Sequence, residues 1–146
     1  KIHLVIAGEG DDKDRLEKIT KSLGVEDNVT FTGYVEEEAK IKLISSFDLY
    51  VFPTRWELEG FGVVVLDAMN AGVALIASNF GPIPEVVDKA GLLVRPNEKD
   101  IGDAIEYLYK NDSLRKSLAE LGRRRVKKFS IENVSKKYIS EFNKII

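Results

Sequence analysis

Short apolar runs alternate with stretches of helical spacing along the whole chain. The apolar runs are rich in Val, Ile, Leu and Phe and end near glycine, proline or acidic residues, which predicts strands at 2–7, 29–32, 49–52, 73–77 and 91–94. Between them, apolar residues recur three or four positions apart. This spacing predicts helices from Asp11 or Asp12 to residue 23, over 36–46, over 62–71, from Pro84 onward and after residue 94, with breaks near Asn111 and Phe129.

Regular alternation of short strands and helices predicts a parallel sheet, because parallel neighbours need a crossover connection and right-handed crossovers cover both faces. The expected fold class is therefore a doubly wound α/β domain with additional helices at its C-terminal end. In such sheets ligands bind beyond the carboxyl ends of the strands. We expect functional residues in the loops that follow Ala7, Thr32, Phe52, Ala77 and Val94.

The composition argues against several classes of protein. A length of 146 residues fits one domain, and a formal net charge of −2 argues against a general nucleic-acid binder. The absence of cysteine excludes disulfides and thiolate metal sites and fits a reducing compartment such as the cytoplasm. No apolar run reaches the roughly 20 residues of a membrane span. The start at Lys1, inside a predicted strand, suggests a piece of a longer chain.

A dinucleotide site is the first alternative to consider, because Gly8-Glu9-Gly10 follows a predicted strand and precedes a predicted helix. The third glycine of that motif is replaced by Lys13, and Thr32 stands where an acid would hold the ribose. These departures favour a tight strand-to-helix turn over NAD binding.

The stretch before the third helix carries more chemistry. Glycines on both sides of Phe61 let the backbone approach a ligand, and the amides at the start of the helix suit a diphosphate. Glu59 is placed to accept hydrogen bonds from sugar hydroxyls. Asp67 lies eight residues later in an apolar helix, where a charge needs a partner or a wet face. Taken singly, each acid could also be an ordinary surface residue.

The run 59–72 resembles the signature of the group 1 glycosyltransferases, which have the GT-B fold. Four further segments, 28–35, 47–54, 81–87 and 91–96, resemble that family's motifs in the same order. The resemblance implies a Rossmann-like donor-binding C-terminal domain over residues 1–146. It also implies that the first β/α unit of this half, with the basic residues that hold the diphosphate, and an N-terminal acceptor domain precede Lys1.

The resemblance also implies roles for individual residues. Glu59 would orient the transferred sugar and is the one residue assigned to the catalytic set. Main-chain amides of Phe61, Gly62 and Val63 would bind the sugar and the diphosphate, and Asp67 would hold the ribose.

Gly33 and Tyr34 would lie near the base, and Arg55 could reach the diphosphate. Two departures from the family pattern are notable: Asp67 is one methylene shorter than the usual glutamate, and Pro82 replaces a glycine.

The function that the resemblance implies is transfer of a sugar, with retention, from a nucleoside diphosphate sugar of the UDP or GDP type. Neither a metal nor another cofactor is expected. The acceptor would be a sugar or a lipid-linked sugar held by the N-terminal domain, with peripheral contact at the inner face of a membrane and no nucleic acid. Two alternatives stay open: a nucleotide-binding or regulatory module without transferase activity, and a nucleotide-sugar epimerase. The 146-residue chain by itself is expected to be inactive.

Overall fold

The computed structural model describes residues 2–55 and 59–145. It divides the chain into two compact units, Lys1–Lys40 and Ile41–Ile146, and each is described here by itself. The assignment of the whole chain to one nucleotide-sugar-binding domain stays a prediction. The sequence also leaves two roles open for Trp56, stacking on a sugar or base and covering the neighbouring loop. Trp56 lies outside the described residues, as does the rest of segment 56–58.

The first unit contains a parallel strand pair. Strand β1 (Leu4–Ala7) pairs with β2 (Val29–Gly33), and helix α1 (Lys13–Ser22) and a short 3-10 helix (Glu26–Asn28) connect them. Strand β1 begins two residues later than the apolar run suggested. Asp12 occupies the N-cap position of α1, as expected, but its side chain does not cap the helix amides. Its carboxylate instead accepts hydrogen bonds from the Arg15 guanidinium at 2.8 and 3.0 Å. This hydrogen-bonded pairing lowers the pKa of Asp12.

Helix α2 (Glu37–Ser45) leads into the second unit, which is built on three parallel strands. Strands β3 (Leu49–Phe52), β4 (Ala74–Ser78) and β5 (Leu92–Val94) pair in that order, with β4 in the centre. The connecting and following helices are α3 (Val63–Ala71), α4 (Ile83–Val87), α5 (Glu98–Lys110), α6 (Asp112–Val126) and α7 (Ile131–Phe142). The expected parallel arrangement and the breaks near Asn111 and Phe129 are confirmed.

Strand β4 shows why this sheet is covered on both faces. All five of its residues are buried, and successive side chains point to opposite sides. Leu75 packs in a cluster with Met69 of α3 and Ile83 of α4, whereas Ile76 packs in a second cluster with Leu108 of α5. The continuous apolar composition of β4 is thus the expected signature of a central parallel strand. Within the described residues no helix is long and apolar enough to span a membrane.

Helix α3 begins at a glycine whose backbone is constrained. Gly62 is buried and has a φ of 75°, a left-handed conformation that disfavours side chains. A Cβ placed on Gly62 would lie 2.5 Å from Cδ1 of Ile83, so α4 covers this glycine closely. Only glycine satisfies both the conformation and the space.

We predict that Gly62→Ala lowers the free energy of unfolding by about 1–3 kcal/mol, because the new methyl group adds both backbone strain and overpacking. Gly102→Ala in α5 is the matched control, since Gly102 is exposed and a methyl group added there would meet open space. That control should stabilise the protein by about 0.5–1 kcal/mol. Equilibrium urea unfolding measures both, and equal stabilities of the two variants would contradict the account of Gly62.

Candidate functional site

The start of α3 is held by a side chain from the preceding loop. Oε1 of Glu59 accepts a hydrogen bond from the Gly62 amide at 2.9 Å and a longer one from the Phe61 amide at 3.5 Å. A carboxylate in this place satisfies amides that have no partner in a preceding turn and lies at the positive end of the helix dipole. Glu59 therefore caps the turn that leads into α3.

This contact joins two sets of groups to which the sequence assigned separate roles. The amides of Phe61 and Gly62 were expected to face a ligand, and Glu59 was expected to receive sugar hydroxyls. Here they bind one another through Oε1 alone. An anion that takes both amides must displace Oε1. A hydroxyl donor, in contrast, could use Oε2 while the cap stays in place.

Along α3, the candidate residues share one face. Val63 and Asp67 are four positions apart and therefore lie above one another on the helix surface. Val63 is 62% exposed, whereas Ala68 and Met69 are completely buried on other sides of the helix. Asp67 is half-buried, and its Oδ2 atom is closed off from solvent. Asp67 therefore shares the face of α3 on which Val63 is exposed, but at least one of its carboxylate oxygens is buried.

Arg55 lies at the other end of the loop that precedes the site. Its guanidinium is 3.9 Å from the carboxylate of Glu98, at the first turn of α5, and both side chains are exposed. An exposed pair at this distance contributes little to stability. Arg55 is therefore held only weakly.

Gly33 and Tyr34 belong to the first unit. Gly33 has a φ of 67°, and its carbonyl accepts a hydrogen bond from the Gly8 amide at 2.9 Å. The Tyr34 amide donates to Oε1 of Glu9 at 3.4 Å, and the Tyr34 ring is exposed. The main-chain groups expected near a base are thus tied to the turn after β1.

Sequence reasoning missed two residues that contact these positions, Glu9 and Phe129, and a third, Arg125, that packs on Phe129. It considered Glu9 only as a spacer between two glycines. It treated Phe129 only as a helix break, although its ring meets the ring of Phe61 edge to face, with centroids 5.6 Å apart. The sequence also contains a basic run, Arg123, Arg124, Arg125, Lys127 and Lys128, which is expected to be a solvated helix face, but the Arg125 side chain is only 17% exposed.

No group of three His, Asp or Glu side chains within residues 2–55 and 59–145 could hold a metal ion.

We predict that Glu59→Ala destabilises the protein by about 1 kcal/mol through loss of the cap. Glu59→Gln keeps an oxygen acceptor for the Gly62 amide and should lose less. Glu106→Ala is the control, because Glu106 is an exposed acid that pairs with Lys110 on α5, and its loss should change stability by less than about 0.5 kcal/mol. If urea unfolding shows no difference between the alanine variants at positions 59 and 106, Glu59 is not a cap in solution.

Comparison with known proteins identifies the family. Residues 1–125 match the family model described as glycosyl transferases group 1. An uncharacterised glycosyltransferase of Methanocaldococcus jannaschii is 32% identical over 143 residues, which are 95% of this chain and 36% of that protein. The GDP-mannose-dependent alpha-(1-6)-phosphatidylinositol monomannoside mannosyltransferase of Mycobacterium tuberculosis is 38% identical over 113 residues, 72% of this chain and 29% of that protein.

A solved structure agrees with this. A point mutant of S. aureus TarM, crystallised with fondaparinux, alpha-GlcNAc-glycerol and UDP, superposes with a TM-score of 0.81 at 28% identity and covers 97% of this chain and 29% of that one. The α/β fold is that of the GT-B glycosyltransferases, as the sequence predicted. The chain spans about a third of the length of the relatives it matches. This chain belongs to the group 1 glycosyltransferases.

Proposed function

We propose that this chain binds the donor in a glycosyltransferase that moves a sugar from a nucleoside diphosphate sugar to an acceptor with retention. The observation that carries the proposal is the hydrogen-bonded turn in which Glu59 meets the Phe61 and Gly62 amides. It brings an acceptor for sugar hydroxyls and a set of amides for an anion to one helix start. Two relatives support the donor class: one is GDP-mannose-dependent, and another was crystallised with UDP.

The proposed catalysis is electrostatic. Amides at the start of α3, from Phe61 to Val63, stabilise the charge that develops on the departing diphosphate, as preorganised donors do in other group transfers. Glu59 gives up its cap when the donor enters and accepts hydrogen bonds from the sugar, which orients the ring for transfer. We assign no residue of this chain as a general base.

The remaining candidate residues keep the roles that the resemblance to the family implies. Asp67 of α3 would bind the ribose hydroxyls directly or through a water molecule. Gly33 and Tyr34 would contact the base, and Arg55 would move from its weak pairing with Glu98 to the diphosphate. These roles are proposals that follow from the family's motifs.

The rest of the parent protein would supply the acceptor. We propose a sugar or lipid-linked acceptor held by an N-terminal domain, with the protein in the cytoplasm and in peripheral contact with the inner face of a membrane. The M. tuberculosis relative, named for a phosphatidylinositol monomannoside, supports a lipid-linked acceptor. The 146-residue chain alone should bind donor without transferring it, and detectable transfer by this chain would contradict that division of labour.

One observation favours a second candidate function. Because Glu59 is already satisfied as the cap of this turn, its presence can be explained without a sugar. A nucleotide-binding or regulatory module of the same fold would keep this cap and bind a nucleotide without using the sugar. The two candidates differ in whether the sugar adds to the affinity.

We predict that the full-length protein binds UDP-sugar or GDP-sugar more tightly than the corresponding nucleotide, as measured by titration calorimetry. Affinity that gains nothing from the sugar would favour the module. Donor that is isomerised in the absence of acceptor would instead indicate an epimerase. ADP and its sugars serve as the specificity control.

In the same protein, Glu59→Gln should reduce turnover at least about 100-fold while it preserves most of the stability. Glutamine can still accept from the Gly62 amide, but it offers sugar hydroxyls only a neutral oxygen and a competing donor. Glu106→Gln controls for loss of a negative charge elsewhere. Transfer rates within about twofold of the wild type in the Glu59 variant would remove Glu59 from the catalytic set.

A further inference from the structure

Three side chains link the Gly-Phe-Gly turn to the end of α6. The Phe61 ring is 39% exposed and meets Phe129 edge to face, with an interplanar angle of 79°. The guanidinium carbon of Arg125 lies 5.1 Å from the centroid of the Phe129 ring, over its face. An aromatic pair and a cation–π contact therefore act on the same Phe129 ring.

Arg125 is fixed at its other end by α4. It donates from Nε to the carbonyl of Val86 at 3.0 Å and from Nη2 to the carbonyl of Glu85 at 2.5 Å. Its Nη1 atom lies 3.6 Å from the carboxylate of Asp88. The carbonyls of Glu85 and Val86 belong to the last turn of α4, where a cation also meets the negative end of the helix dipole. Because the guanidinium has three points of attachment, its position over Phe129 is well defined.

Helix α4 in turn contacts the start of α3. Ile83 covers Gly62 so closely that a Cβ there would lie 2.5 Å from Cδ1 of Ile83. The Gly-Phe-Gly turn is thus held on two sides, by Ile83 at Gly62 and by Phe129 at Phe61. Arg125 connects the two supports, since it binds α4 and stacks on Phe129.

The neighbouring arginine shows that this arrangement is specific. Arg124 lies in the same basic run, but its side chain is 71% exposed and its Nε pairs with Glu120 on the same helix at 3.0 Å. Arg125 is 17% exposed and makes its contacts with residues some forty positions away in the chain. Of these two neighbouring arginines, Arg125 therefore holds α4 and Arg124 lies on the surface.

We propose that Phe129 and Arg125 are positioning residues for the donor site: they hold the Phe61 ring, and with it the direction of the Phe61 and Gly62 amides. This inference rests on the proposed function, because it gives those amides a ligand. If the ring of Phe61 loses its support, the turn samples other orientations and the amides meet the donor less often in a productive geometry.

The test compares Phe129→Leu with Phe129→Tyr in the full-length protein. Leucine keeps apolar bulk and removes the edge-to-face contact, whereas tyrosine keeps the ring. We expect Phe129→Leu to speed amide hydrogen exchange in the peptide that covers 59–65 and to raise the KM for the donor about threefold to tenfold. For Phe129→Tyr, both the exchange rate at 59–65 and the donor KM should stay within about twofold of the wild-type values.

Arg125→Gln forms the second arm, with Arg124→Gln as its matched control. Loss of the Arg125 guanidinium should raise the donor KM and speed amide exchange at 59–65, as Phe129→Leu does. Arg124→Gln should leave both quantities unchanged. This arm also decides the question if Phe129→Leu does not fold. A fall in the melting temperature with wild-type exchange at 59–65 and wild-type donor KM would overturn the proposal and leave a purely structural role.

The two readouts separate this inference from the proposed function. Hydrogen exchange needs no donor, so it reports on support of the turn by itself. A wild-type protein that binds no nucleoside diphosphate sugar would overturn the proposed function and, with it, the role in donor positioning. If the wild type binds the donor and the variants bind it equally well, only the inference about Phe129 and Arg125 is overturned.

Discussion

The left-handed backbone at Gly62 is the constraint on which the site depends. It turns the chain from the loop into α3 and aims the Gly62 amide at Glu59. It also leaves room for Ile83, whose side chain would collide with any larger residue at that position. The loop before α3, helix α3 and helix α4 meet at Gly62. A change in any of them therefore alters the direction of the Phe61 and Gly62 amides.

The bond between Glu59 and these amides has an electrostatic consequence for ligand binding. A carboxylate at a helix start gains from the dipole and from charge-assisted hydrogen bonds. A diphosphate offers the same amides more negative charge, and sugar hydroxyls offer Glu59 new donors. In the proposed function, entry of such a donor would exchange one set of hydrogen bonds for another, and a phosphate oxygen would replace Oε1 of Glu59 as the acceptor for the Gly62 amide. Until then the contact with Glu59 would hold the turn in shape.

Local patterns were sufficient for the elements. The alternation of strands and helices predicted strands covered on both faces, and the structure confirms this for β4. The glycines around Phe61 were expected only to let the backbone approach a ligand; the left-handed φ of Gly62 and its close packing against Ile83 were not predicted. Strand ends moved by one or two residues because hydrogen-bond pairing, not hydrophobicity, decides where a strand stops. The sequence could not show that Glu59 would bind the amides beside it, since both groups suit a ligand equally well.

Contacts over long chain distances were the part that sequence reasoning missed, although one pattern could have suggested them. Leu118, Gly122, Arg125 and Phe129 follow one another at spacings of four, three and four, which places them on the same face of a helix. Leu118 and Gly122 are buried, and a Cβ on Gly122 would already lie 3.4 Å from Met69 of α3. The small residue lets α6 approach α3 closely, and this approach brings Arg125 and Phe129 to α4 and Phe61. Arg125 is largely covered, although it belongs to a basic run, because Leu118 and Gly122 on the same helix face are buried.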